Sequence, residues 1–86
     1  MHEGVIVYHS LLEAEIVHWD DERQAARARA NTVGQRDERA EKSMKYFGEC
    51  TTRIVTLKGM RTALYQQFPG LKEHSTITRP IFTASF

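Results

Sequence analysis

Seven residues of the first half of the chain, Leu12, Ile16, Trp19, Arg23, Ala26, Ala30 and Val33, follow one another at alternating steps of four and three. That is the spacing of one face of a helix in a heptad seam, and no strand can present it. The second half repeats it through Ala40, Met44, Phe47, Thr51, Ile54, Lys58, Arg61, Tyr65 and Phe68. Gly34 separates the two stripes and Pro69-Gly70 ends the second, where proline cannot continue the helical ladder. Two amphipathic helices joined by one turn make an antiparallel hairpin, so the expected class is mostly α.

Local signals set the expected boundaries. Ser10-Leu11-Leu12-Glu13 fits a capping box, in which the serine hydroxyl and the glutamate satisfy each other's backbone amides. It predicts a first helix over about 10–33. A second is expected over about 35–68, supported by Glu38 with Lys42 and Glu41 with Lys45 at i,i+4. Residues 1–70 thus read as a helical domain. Residues 71–86, rich in Ser and Thr and broken by Pro80, read as an extended C-terminal tail.

Two segments resist this reading. Val5-Ile6-Val7-Tyr8 is β-branched and aromatic, as are Thr51, Thr52, Ile54, Val55 and Thr56 between Gly48 and Gly59. The alternative class is therefore α+β, with short strands at 4–8 and 51–57. The helical reading is preferred because the stripe resumes in register beyond Gly59.

Two helices cannot enclose a core. Leu11, Val17, Leu57, Met60 and Leu64 lie off the seam and need further cover. Two hairpins joined as a four-helix bundle would supply it, so a homodimer is expected, with the tail folding back as the competing cover. An 86-residue chain buries only about 60–65% of its unfolded surface, and small domains of this kind commonly need a staple. Cys50 is the only cysteine, so no intrachain disulfide can form. A lone thiol, no apolar run near the ~20 residues of a membrane span and no basic leader point to the cytoplasm and away from membranes.

Charge is divided along the chain. Residues 1–22 hold six acids and no Lys or Arg, a charge of −6, while residues 23–86 hold all 12 basic residues and the other five acids, a charge of +7. In an antiparallel hairpin the acidic start of the first helix runs beside Arg53, Lys58 and Arg61, and Glu15 lies near Arg53.

No G-x-S-x-G, phosphate-binding loop or dinucleotide fingerprint occurs, and nothing beside Cys50 would activate its thiol, so no enzyme is expected. No cofactor is expected either. Glu15-Ile16-Val17-His18 spells the E-x-x-H of di-iron bundles, with Glu49 as a further candidate ligand. His18, however, lies ~100° around the helix from the seam, so a metal-binding bundle is only the second alternative. The pairs His9 with Glu13 and His18 with Glu22 read as solvated polar faces.

What remains is a small interaction protein that regulates or inhibits a larger protein by occupying its surface. Its expected contacts are the arginines Arg23, Arg27, Arg29, Arg36 and Arg39 near the turn, or Ile81, Phe82 and Phe86 of the tail. Nucleic-acid binding through the arginine end is the first alternative, weakened by an isoelectric point near 8.0.

Overall fold

A computed structural model describes residues 2–32, 38–78 and 81. Two helices of 30 residues each, α1 (Glu3–Thr32) and α2 (Glu38–Gln67), are followed by a short 3-10 segment, Pro69–His74. At 1.5 Å per residue each helix spans about 45 Å, which sets the 51 × 22 × 18 Å outline of the molecule. His9 meets Tyr65, Glu13 meets Arg61, Trp19 meets Arg53 and Arg23 meets Phe47. Partners descend α2 as they ascend α1, so the hairpin is antiparallel, as the two stripes predict. The expected turn, with Val33, Gly34, Gln35 and Arg36, lies outside the described residues.

There is no strand among the described residues, so the α+β alternative is set aside. Residues 4–8 are helical, and α1 begins seven residues before the expected Ser10 cap, which lies mid-helix and exposed. The carbonyl of His2 instead accepts the amides of Val5 and Ile6 at 3.0 and 3.4 Å. Val5 and Ile6 are half-buried and His9 fully buried, and packing of this kind overrides weak strand preference.

The second ambiguous segment is also helical. Its threonines turn their hydroxyls back onto the ladder: Thr51 donates to the carbonyl of Phe47 at 2.9 Å, Thr52 to Gly48 and Thr56 to Thr52, each at 3.1 Å. Satisfied in this way, β-branched polar residues are tolerated within a helix. Glu38 and Lys42 form their i,i+4 pair at 3.3 Å on the surface.

The seam differs from expectation at two points. Leu12, Ile16, Ala26, Cys50 and Ile54 are buried in it, but Trp19 is only half-buried at its flank. Its position inside is taken by Asp20, which is 1% exposed and accepts from Gln24 at 2.9 Å, with Arg23 at 3.7 Å. The step after Ile16 is four residues, not three, because Asp20 finds these partners inside. On α2, Met44 faces outward and Cys50 takes an inner position.

The tail is not simply extended. Pro69 opens the 3-10 turn, a first helical position where its missing amide costs nothing. Leu71 is driven fully into the groove between the helices, its amide donating to the Phe68 carbonyl at 3.0 Å. Residues 69–78 therefore form a strap across one flank of the hairpin. This covers part of the apolar surface that the sequence leaves open. Among the described residues, no helix is long and apolar enough to cross a membrane.

Candidate functional site

The open end of the hairpin, where α1 begins and α2 ends, concentrates the polar chemistry of the chain. At its centre is Glu13, which is 2% exposed. Its Oε2 accepts from Arg61 Nη1 at 3.0 Å and from the Ser75 hydroxyl at 2.6 Å, and its Oε1 accepts the Thr76 amide at 2.9 Å. One carboxylate thus joins α1, α2 and the strap. Burial alone would raise its pKa. The Ser75 and Thr76 hydrogen bonds, the nearby His9 and the Arg61 guanidinium outweigh that and hold the carboxyl below its ordinary value.

His9, one turn earlier, is fully buried, with Nε2 2.8 Å from the Tyr65 hydroxyl and 3.9 Å from Glu13. The rings of His9 and Tyr65 lie 5.4 Å apart, tilted by 52°. Nδ1 of His9 has no hydrogen-bond partner among the described residues. The pair His9–Glu13, expected on a solvated face, is thus an interior pair. Its partners come from α2 and the strap, so no local pattern reveals them. The one usable sign was that Arg61 and Tyr65 stand on the stripe of α2, where a polar residue needs a buried counterpart.

Beside this hub the strap and α2 border an open cleft of about 320 Å³, lined by Lys58, Arg61, Tyr65, Lys72, Ser75, Ile77 and Ile81. Tyr65 is half-buried in this lining. Arg61 and Lys72 place their charges 5.8 and 5.9 Å from the centroid of the tyrosine ring. Burial and the charge of Glu13 push the Tyr65 phenol pKa above its ordinary value, against opposing effects of Arg61 and Ser75.

Among the described residues, no strap covers the other flank of the seam. Tyr8, Met60, Ala63, Leu64 and Gln67 line a concavity of about 280 Å³ there. A second concavity, of about 250 Å³, continues along it between Glu15, Trp19, Arg53 and Leu57. Glu15 thus lies in the same concavity as Arg53, as the antiparallel reading predicts, and accepts from Trp19 Nε1 at 3.1 Å. The Arg53 guanidinium stacks 4.4 Å from the centroid of the indole. Val7, Tyr8, Leu11 and Met60 are exposed at this end, Leu11 by 62% and Met60 by 44%.

The sequence-derived contacts are scattered. Arg23 is half-buried in the seam, its guanidinium 4.7 Å from the centroid of the Phe47 ring. Arg27, Arg29 and Arg39 are exposed toward the turn end. Ile81 is half-buried and lines the strap cleft. Arg36, Phe82 and Phe86 lie outside the described residues. His18 is exposed and meets the Trp19 ring edge-on at 5.0 Å, so the histidine of the E-x-x-H pair lies outside the seam. Among the described residues no three His, Cys, Asp or Glu side chains gather as metal ligands would. Cys50 is fully buried, and burial is the largest cause raising its pKa, against a lowering hydrogen bond with Tyr46.

No family model, curated protein or solved structure matches the chain.

Proposed function

We propose that the protein acts by docking onto another protein through the flank of the hairpin that the strap leaves open, and that it regulates or inhibits that partner by occupying its surface. The observation that carries this reading is the cluster of Val7, Tyr8, Leu11 and Met60, large apolar side chains exposed together at one end of the molecule. The concavity between Tyr8, Met60 and Leu64 offers a seat for an apolar ridge of the partner. Contiguous patches of this kind, rimmed by polar residues such as Glu15, Arg53 and Gln67, mark interaction surfaces.

No catalysis is invoked. Glu13, the carboxylate beside the strap cleft, has both oxygens engaged and is held ionised, and Cys50 has a buried thiol with its pKa raised.

The test is affinity capture by the full chain, compared with Leu11→Asp and with the pair Arg27→Glu and Arg29→Glu. All replace exposed residues, so helicity by circular dichroism should be unchanged. A protein captured by wild type, kept by the arginine variant and lost by Leu11→Asp is the expected result. Capture indifferent to Leu11→Asp overturns the assignment. Binding lost only in the arginine variant, with a steep salt dependence toward DNA or RNA, moves the function to the turn end. Light scattering then shows whether a second copy is the occupant.

A further inference from the structure

The strap cleft lies on the other side of the seam from the proposed docking flank and is built differently. Three cations, Lys58, Arg61 and Lys72, line a space of about 320 Å³. Arg61 directs Nη1 to Glu13, but that carboxylate already accepts from Ser75 and Thr76 as well, so it has little capacity left for the other two cations. Asp20, across the seam, acts on Lys58. The lining itself holds these three cations and no acid, so the cleft is cationic.

Two of these charges, on Lys58 and Arg61, are half-buried, and Lys72 is exposed. Burial first, and the Arg61 charge second, push the Lys58 pKa down, and Asp20 only partly offsets them. An anion entering the cleft would relieve both effects at once. The remaining lining is Ser75, the Tyr65 ring and the half-buried Ile77 and Ile81. The volume is at the lower limit of ligand pockets, roughly 300–1,000 Å³, which suits a single ring or a short chain.

We propose that this cleft binds a small organic anion, its phosphate or carboxylate group set among Lys58, Arg61 and Lys72 and its aryl or short alkyl body resting on Tyr65, Ile77 and Ile81. Arginine can offer a second edge of its guanidinium to such a group while the first stays on Glu13. The charged group and the apolar body each find a complementary wall. Neither inorganic phosphate nor a neutral aromatic uses both.

The experiment uses the full chain at constant ionic strength, with phenyl phosphate and benzoate as probes and inorganic phosphate and benzyl alcohol as half-ligands. Binding is followed by thermal shift and by NMR of the Tyr65, Ile77 and Ile81 signals. At least one probe should saturate, binding at least tenfold more tightly than either half-ligand, and should move those three signals together. Which probe does so tells a phosphate site from a carboxylate site. Lys72 is exposed and outside the Glu13 clamp, so Lys72→Ala should fold normally and weaken the probe at least tenfold. If neither probe exceeds the response to potassium chloride, or if Lys72→Ala binds as wild type does, the proposal is overturned. Leu11→Asp should leave this binding intact, so its outcome is separate from that of the docking flank.

Discussion

Replacing Glu13 by alanine tests the account of this fold most directly. The substitution removes the acceptor of Arg61, Ser75 and Thr76 together. Ser75 and Thr76 are exposed and can turn to water. The Arg61 side chain, 19% exposed, cannot do so fully and stays beside Lys58. Breaking one partner out of a buried ion pair costs about 3–5 kcal/mol. The residual exposure of Arg61 places the expected loss near the lower end, about 3 kcal/mol. A chain of this length has about 4–13 kcal/mol in all, at ~0.05–0.15 kcal/mol per residue. The urea midpoint, read by circular dichroism, should therefore fall by about 1–3 M, at an m-value of about 1–3 kcal/mol/M.

Two further arms isolate the cause. Adding Arg61→Met to Glu13→Ala removes the stranded charge as well and should recover part of the loss. Acid should do what Glu13→Gln does. The folded-state pKa of Glu13 is lowered, so its contribution is fully present above the ordinary carboxylate range, about pH 4–5, and vanishes as pH falls through the lower folded value. Wild type and Glu13→Gln should converge in stability below that range and separate above it. A loss under about 1 kcal/mol in Glu13→Ala, or a gap between wild type and Glu13→Gln that widens in acid, would refute the clamp.

Other consequences are simpler to measure. Gly48 and Gly59 lie inside α2 with nothing within 4 Å of where a Cβ would stand. Gly48→Ala and Gly59→Ala should each stabilise the protein by about 0.5–1 kcal/mol, seen as a higher melting temperature. Cys50 should react with a thiol reagent only as the chain unfolds, its labelling rising with urea in step with lost helicity. Fast labelling of the folded protein would contradict its burial.

How far the sequence reveals this structure depends on the reach of each interaction. The four-three alternation gave both helices and their antiparallel pairing, because helix periodicity is a local property that a run of residues carries in full. It also resolved Thr51–Thr56, where propensity alone pointed to a strand. Trp19 and Asp20 mark its limit: a seam assigned by apolar character chooses the tryptophan, whereas partners such as Arg23 and Gln24 make the aspartate acceptable inside. Ser10 carries a sound cap signal, overridden because residues ahead of it pack within the hairpin. His9 and Glu13 were legible as a pair but not as a buried one. Their partners, Arg61, Tyr65, Ser75 and Thr76, stand 48–63 residues away in the chain. Of the contacts inferred from sequence, Arg23 and Ile81 lie against the body of the protein, and the docking flank was visible only as apolar residues left over.

That separation has a kinetic meaning. Helices joined by a short turn zip from contacts close in sequence, whereas a carboxylate and a serine 62 residues apart must wait for nearly the whole chain to be arranged. Docking of Leu71 and closure over Glu13 should thus be the last event of folding and the first lost on unfolding. A nascent or partly melted hairpin then presents a vacant groove that Leu71 later fills.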